Sequence, residues 1–118
     1  MALPDCLFCR IAEGSIPSQK IFEDDQFVVI KDINPAAPIH LLIIPKMHLD
    51  SLNEAGETDL ELLGRIQLIA ARMANELGLA EQGYRLVNNC GVWGGQTIMH
   101  LHYHLLGGKQ MGWPPEKS

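Results

Sequence analysis

The chain has 118 residues, a length that fits a single domain with a modest hydrophobic core. The chain contains nine Lys and Arg residues and fourteen Asp and Glu residues, which gives a net charge of −5. This charge argues against a general nucleic-acid-binding protein, which needs a basic surface. The longest apolar run, over residues 39–45, is too short to cross a membrane, and the N-terminus lacks the pattern of a signal peptide. We therefore expect a cytoplasmic protein that binds neither membrane nor nucleic acid.

The first third of the chain predicts one short helix and three strands. Residues 6–12 are a short mixed segment that favours one helical turn. Lys20–Glu23 and residues 27–33 are predicted strands, the second because it is rich in β-branched and aromatic residues. Residues 34–38 form a loop by composition, and residues 39–44 are almost continuously apolar, which predicts a strand buried on both faces.

The clearest helix is predicted over residues 59–77. Thr58 is a suitable N-cap, and Glu61 follows three residues later, as in a capping box. Gly78 suits the left-handed position after the last turn. One broad apolar stripe recurs at helical spacing and consists of Leu62, Leu63, Ile66, Ile69, Ala70, Met73 and Leu77.

Two further strands are predicted over residues 84–89 and 99–106, with a glycine-bearing loop at 91–95 between them. Five strands with one long helix between the third and the fourth favour an α+β fold with an antiparallel sheet. We expect residues 1–118 to form one domain.

Three histidines alternate in the last predicted strand, which reads His100-Leu101-His102-Tyr103-His104. Because side chains of a strand alternate between its faces, the three imidazoles should share one face. Surface histidines or a simple metal patch could give the same pattern, but phosphorus chemistry explains it better. A neutral imidazole can attack phosphorus, and a neighbouring imidazole can stabilise the charge on the phosphate oxygens.

A glycine-rich loop stands just before these histidines. Gly94-Gly95 allows close approach of the backbone to a phosphate, and Gln96 and Thr97 add side-chain donors. The loop is weak evidence by itself and strong evidence next to the histidines.

The run from His100 to Leu106 resembles the signature of the histidine-triad (HIT) superfamily, in which three histidines alternate with apolar residues. The segments at residues 32–40, 44–46, 83–85 and 94–97 are similar to its Hint branch, the purine nucleoside phosphoramidases. So is the tail over residues 107–118, which carries Trp113-Pro114-Pro115. The resemblance covers nearly the whole chain and implies a HIT-like fold, with a five-stranded antiparallel sheet, one long helix and one short helix.

The resemblance implies a role for each site residue. His102 is the expected nucleophile, and His104 is expected to hydrogen-bond the α-phosphate. Asp32 is expected to bind the ribose hydroxyls. The phosphate and the leaving group are expected to contact Asn89, Gly95, Gln96 and Thr97, where Thr97 replaces the serine usual in the family.

An apolar slot for a purine base is implied at Phe8, Ile11, Ile30 and Ile33. For Ile30 an ordinary core position is an equal alternative. His40 either supports the triad from a neighbouring strand or is a satisfied core histidine.

Members of this family are homodimers whose sheets join into one continuous sheet. The apolar stripe of the long helix fits packing against a second copy or against the protein's own sheet. The C-terminal tail would reach the partner's active site, where Trp113 could contribute to substrate choice; a loosely ordered tail is the alternative.

Cys6 and Cys9 form a C-x-x-C pair, which by itself fits a metal pair, a redox pair or coincidence. Many bacterial HIT proteins bind structural zinc, and the resemblance implies the ligands Cys6, Cys9, His48 and His100. Four protein ligands leave no open position, so no cofactor is expected for catalysis. Without zinc, His100 would orient His102. Cys90 is expected to be a small buried residue.

The expected function is therefore hydrolysis of the P–N bond of adenosine 5′-phosphoramidates, including AMP joined to lysine, through a nucleotidyl-histidine intermediate. One alternative is hydrolysis of dinucleoside polyphosphates, against which the tail argues. Others are a nucleotide-binding or scaffold protein with little turnover, and a zinc-stabilised structural module.

Overall fold

The computed structural model describes Leu3 and residues 5–117; Met1, Ala2, Pro4 and Ser118 of the predicted domain lie outside the described residues. The elements in chain order are α1 (Leu7–Ala12), β1 (Lys20–Glu23), β2 (Phe27–Lys31), β3 (Ile39–Pro45), α2 (Leu60–Glu76), β4 (Arg85–Val87) and β5 (Tyr103–Gly107). Single 3-10 turns occur at Leu52–Glu54, Glu57–Asp59 and Pro115–Lys117. The α+β fold with one long and one short helix is confirmed. Within the described part of the chain, no helix meets the length and hydropathy that crossing a membrane requires.

All neighbouring strands are antiparallel, and their order across the sheet is β1–β2–β3–β5–β4. One face packs on α2 through an apolar cluster that includes Phe27, Val29, Leu41, Ile43, Ile66, Met73 and Leu105. The opposite face packs on α1 through Phe8, Ile11, Val28, Ile30, Leu42 and Ile44. The central strands β2 and β3 are therefore buried on both faces, as their sequences predict, and α1 covers the face that carries the histidines.

The start of α2 differs from the prediction. Residues Glu57–Asp59 form a 3-10 turn before the helix, and Asp59 accepts a hydrogen bond from the Gly56 amide through Oδ2 at 2.9 Å. The predicted cap at Thr58 with Glu61 is therefore wrong, because the carboxylate of Asp59 closes the turn instead. Gly78 does end the helix in a left-handed conformation, with φ of 76°.

Strand β5 also begins later than predicted, at Tyr103 rather than at residue 99. The partner strand β3 ends at Pro45, and beyond it the amide of Leu101 donates to the carbonyl of Leu49 at 2.7 Å. Two of the three histidines thus precede the paired strand. Alternation continues nonetheless, because Leu101, Tyr103 and Leu105 all lie in the α2-side core.

Candidate active site and metal centre

His102 has one ring nitrogen fixed as a hydrogen-bond donor. Its Nδ1 lies 2.7 Å from the backbone oxygen of His100, and because a carbonyl only accepts, Nδ1 carries the proton. The lone pair is therefore on Nε2. The residue is buried, and Phe8 contacts its ring edge-to-face, with ring centroids 4.9 Å apart. The side chain of Asn88 donates to the backbone oxygen of His102 at 3.1 Å, so the backbone is held as well.

His104 carries its proton on the opposite nitrogen. The amide of Ala36 donates to Nδ1 of His40 at 2.9 Å, which leaves the proton of His40 on Nε2. That Nε2 lies 2.8 Å from Nδ1 of His104 and donates to it. His104 therefore carries its own proton on Nε2. The ring centroids of His102 and His104 are 5.1 Å apart. The lone pair of His102 and the N–H donor of His104 are therefore on neighbouring rings.

Burial keeps these imidazoles uncharged at neutral pH. It lowers the pKa of His102 below the ordinary value, although the hydrogen bond to His100 and the charge of Asp32 act in the opposite direction. Burial, followed by the charges of His102 and His40, lowers the pKa of His104 to about 4. Burial also lowers the pKa of His40, against the charge of Asp32. A neutral imidazole with a lone pair and a neutral N–H donor are thus available together.

The loop between β4 and β5 is a tight turn that depends on glycine. A Cβ atom on Gly94 would lie 2.4 Å from the backbone oxygen of Cys90, and Gly95 has φ of 85°. The side chain of Asn89 donates to the carbonyl of Gly94 at 2.7 Å. The predicted phosphate loop therefore has a fixed backbone, with Asn89 at its base.

The buried side chain of Gln96 stabilises this loop through three hydrogen bonds. Its Oε1 accepts from the amide of Gly91 at 2.9 Å, and its Nε2 donates to the backbone oxygens of Asp50 at 2.6 Å and Ile98 at 3.0 Å. The side chain is buried and both of its N–H groups are in use. This corrects the expectation that Gln96 adds a side-chain donor to a phosphate. The next residue, Thr97, is exposed.

An apolar groove of about 570 Å³ is lined in part by Phe8, the residue that contacts His102. The predicted base-slot residues Phe8, Ile11, Ile30 and Ile33 all line it, together with Asp32 and Thr97. Ile30 also belongs to the core cluster under α1, so it is a core residue that lines the groove as well. Ile33 is 92 % exposed and forms the rim of the groove rather than its floor. Because Phe8 lines the groove and contacts His102, the wall of the groove leads to His102.

The four predicted metal ligands converge on one point. The Nδ1 atom of His100 lies 3.2 Å from Sγ of Cys6 and 3.5 Å from Sγ of Cys9. The Nδ1 atom of His48 lies 3.4 Å from Sγ of Cys9 and 3.1 Å from Nδ1 of His100. All four ligand atoms are within 4.8 Å of one another.

The Nε2 atoms of His48 and His100 are both engaged in hydrogen bonds, which leaves their Nδ1 atoms available to a metal ion. The Nε2 atom of His100 lies 2.7 Å from the carbonyl of Pro45, and Nε2 of His48 lies 2.6 Å from the carboxylate of Asp50. Both Nε2 atoms therefore donate, and the two Nδ1 atoms face each other with lone pairs, which repel unless a cation lies between them. Tetrahedral zinc with Zn–S of about 2.3 Å and Zn–N of about 2.0–2.1 Å separates such ligand atoms by about 3.3–3.8 Å. The residues present fit zinc.

Among the described residues of one chain, the tail does not reach this site. Trp113 is 80 % exposed and does not line the groove, while the carbonyl of the preceding Gly112 accepts from the Arg85 guanidinium at 2.6 Å. The sequence analysis did not predict two supporting residues: Asn88, which donates to the backbone oxygen of His102, and Asp50, which accepts from His48. The spacing His-x-Asp was the available signal for Asp50.

Residues 5–114 of the chain match the family model described as "Scavenger mRNA decapping enzyme C-term binding". An uncharacterized HIT-like protein of Chlamydia muridarum is 49 % identical over 106 residues, which cover 90 % of this chain and 83 % of that protein. The chain belongs to the histidine-triad superfamily. The resemblance read from the histidine pattern is thereby confirmed at the level of the HIT superfamily.

Solved HIT structures share the fold of this HIT protein. The HIT family hydrolase from Legionella pneumophila Philadelphia 1 has a TM-score of 0.93 and 51 % identity, over 94 % of this chain and 99 % of that one. A zinc-bound histidine triad family protein from Mycobacterium smegmatis has a TM-score of 0.77 and 32 % identity, over 97 % of this chain and 80 % of that one. The predicted HIT-like fold is confirmed, and the Cys/His cluster of this chain could hold a metal.

Proposed function

We propose that this HIT protein is a hydrolase that cleaves the P–N bond of purine nucleoside 5′-phosphoramidates, including AMP joined to an amine such as lysine. The observation that carries the proposal is the pair of opposite tautomers at His102 and His104, each fixed by a hydrogen bond. The resemblance to a HIT family hydrolase over 94 % of the chain supports hydrolysis in general.

The reaction takes two displacements at phosphorus. Nε2 of His102 attacks the α-phosphorus, a bond forms between nitrogen and phosphorus, and the bond from phosphorus to the amine breaks. The departing amine takes a proton from solvent through the hydroxyl of Thr97, and the attacking water of the second displacement returns one proton to solvent. His104 donates from Nε2–H to a non-bridging oxygen and stabilises the charge there. Water then attacks the nucleotidyl-histidine, which releases the nucleoside monophosphate and restores neutral His102.

The groove supplies the binding energy for the nucleoside. Its apolar lining takes the base, and the carboxylate of Asp32 accepts hydrogen bonds from the ribose hydroxyls. Oδ1 of Asp32 already accepts from the amide of Asn34 at 2.7 Å, which holds the carboxylate in place. Asn89 and the backbone of Gly95 hold the phosphate at the other end.

We propose that Cys6, Cys9, His48 and His100 hold a structural zinc ion. Bound zinc would cross-link α1 to the segment before β5 and would take no part in the reaction, since the four protein ligands fill its coordination. The carbonyl of His100 accepts from the nucleophile, so the same residue fixes both the metal site and the tautomer of His102.

We further propose a homodimer that joins the two sheets. In a single chain Leu60 and Leu68 of α2 are 70 % and 71 % exposed, and β4 is an edge strand of the sheet. The partner would also bring its Trp113 to the active site. Light scattering should give a dimer for the parent chain and a monomer for Leu68→Glu; a monomeric parent would contradict this proposal.

The test of the proposed reaction is release of AMP from adenosine 5′-phosphoramidate, with the His102→Ala variant beside the parent. We expect turnover in the parent and none in the variant, with nucleotide binding retained. Diadenosine polyphosphate serves as the comparison substrate. Preferential cleavage of that compound would favour the dinucleotide hydrolase, and binding without turnover of either would favour a nucleotide-binding protein.

A further inference from the structure

The metal cluster of Cys6, Cys9, His48 and His100 borders on a second groove, at the N-terminal end of α1. This groove has a volume of about 540 Å³, and Cys6 and His48 are among the residues that line it. Cys6 is half-buried, whereas Cys9 is 1 % exposed and does not line the groove. A small molecule that enters the groove therefore reaches Cys6 before Cys9.

The two cysteines are placed where they can react with each other. Cys6 is the N-cap of α1, and its Sγ accepts a hydrogen bond from the amide of Cys9 at 3.3 Å, so this sulfur lies over the first turn of the helix. The two Sγ atoms are within 4.8 Å of each other. Rotation of the two side chains can bring them to the S–S bonding distance of about 2.05 Å. A C-x-x-C pair at a helix N-terminus is also the arrangement found in disulfide oxidoreductases.

We propose that Cys6 and Cys9 are an oxidation site, at which hydrogen peroxide converts the two metal-binding thiolates into a disulfide and thereby releases zinc. The inference rests on the proposed zinc site and is independent of the proposed hydrolysis. It makes nucleotide binding depend on the redox state of the surroundings.

The reaction takes two steps at sulfur. Sγ of Cys6 attacks one oxygen of the peroxide, an S–O bond forms, and the O–O bond breaks with loss of hydroxide. Sγ of Cys9 then attacks Sγ of Cys6, so that the S–S bond forms and the S–O bond breaks with loss of a second hydroxide. The two sulfur atoms together lose two electrons and the peroxide gains two. Two protons from solvent convert the hydroxides into water.

The disulfide removes half of the metal ligands. His48 and His100 are too few to hold a structural zinc ion, which needs four ligands. Helix α1 then loses its link to the segment before β5. Phe8 of this helix lines the groove proposed for the nucleoside and contacts the ring of His102. Coupling between two sites commonly changes affinity by about fivefold or more, so oxidation should raise the Kd of AMP about fivefold.

Titration of the reduced, zinc-loaded protein with hydrogen peroxide tests the site. A colorimetric chelator measures released zinc, peptide mapping locates the new bond, and calorimetry gives the Kd of AMP. We expect one zinc ion released for each Cys6–Cys9 disulfide, and AMP bound about fivefold more weakly. Dimedone, which traps sulfenic acids, should label Cys6 rather than Cys9. Dithiothreitol followed by zinc should restore both the metal and the affinity for AMP.

Two variants separate this site from other oxidation of the protein. Cys90→Ser is the matched control, because Cys90 is a cysteine outside the metal cluster. It should release zinc at the same peroxide dose as the parent and form the same disulfide. Cys9→Ser cannot form the disulfide, so its Kd for AMP should not change on treatment with peroxide. An equal rise in Kd in Cys9→Ser and in the parent would assign the effect to oxidised methionines and overturn the link to nucleotide binding.

Zinc that stays bound at peroxide doses that oxidise Cys90 would overturn the oxidation site. So would zinc loss that disappears in Cys90→Ser, or zinc loss without a bond between Cys6 and Cys9. A reduced protein without zinc in elemental analysis would overturn the oxidation site together with the zinc proposal. Turnover of adenosine 5′-phosphoramidate would still test the proposed hydrolysis separately.

Discussion

Replacing His40 tests how the protein sets the tautomer of His104. In the structure His40 donates from Nε2 to Nδ1 of His104 at 2.8 Å, because the amide of Ala36 occupies its other nitrogen. In His40→Ala this donor is lost, and His104 can then carry its proton on Nδ1. The fraction of molecules that present Nε2–H to a phosphate oxygen should therefore fall.

The size of the effect follows from the single hydrogen bond that is removed. One such bond contributes about 0.5–1.5 kcal/mol, which corresponds to a loss of about twofold to twelvefold in kcat for His40→Ala. His104→Ala removes the donor itself, and loss of a donor to developing negative charge costs about 10²–10³ in kcat. His40→Gln retains a side-chain N–H that can reach His104, so its loss should be smaller than that of His40→Ala.

Steady-state release of AMP from adenosine 5′-phosphoramidate measures these losses, and the thermal unfolding midpoint checks that each variant is folded. Nitrogen chemical shifts of the imidazoles report the tautomer of His104 directly. A loss in His40→Ala as large as that in His104→Ala would refute the positioning role. So would an unchanged Nε2–H tautomer in His40→Ala.

Further predictions concern stability, the phosphate loop and the metal. Since the pKa of His104 is about 4 in the folded protein and about 6.5 in an unfolded chain, the unfolded state binds more protons as the pH falls. The free energy of unfolding, from denaturant titrations, should therefore decrease between about pH 6.5 and pH 4, and His104→Asn should weaken that decrease; an equally steep decrease in the variant would contradict this. Gly94→Ala, whose Cβ would lie 2.4 Å from the Cys90 oxygen, should lower the free energy of unfolding by about 1–3 kcal/mol, whereas Gly56→Ala, with open space around it, should change it by less than about 0.5 kcal/mol. Cys9→Ser should lose bound zinc by elemental analysis and, because α1 carries part of the groove, should also bind AMP more weakly in calorimetry; full AMP affinity in metal-free protein would disprove that link.

Local patterns in the sequence could predict much of the site. The alternation predicts that His100, His102 and His104 share one face, opposite the core residues Leu101 and Tyr103. In the structure that face is the α1 side of the sheet, although only His104 lies in the paired strand. The four predicted metal ligands lie together, and the four residues predicted to contact the base line one groove. Both sets were inferred from resemblance to a family that shares this fold.

The tautomers could not be predicted, because each depends on which backbone group the folded chain brings beside the imidazole ring. The amide of Ala36 and the carbonyl of Pro45 decide which nitrogens of His40 and His100 carry protons. The role of Gln96 was missed for a related reason: its partners include the carbonyl of Asp50, 46 positions away in the sequence. The N-cap of α2 was predicted wrongly for a local reason. Thr58 and Asp59 are both suitable N-cap residues, and the sequence does not show which of the two begins the helix.

The central claim is that His102 forms a covalent bond to the nucleotide. Rapid quenching of the reaction with adenosine 5′-phosphoramidate labelled in the adenosine, followed by peptide mapping, tests it directly. We expect the label on the peptide that contains His102 during the first turnover, and its absence in His102→Ala. Full turnover without any labelled protein, together with inversion of configuration at phosphorus, would contradict the account, because it would show that water attacks the substrate directly.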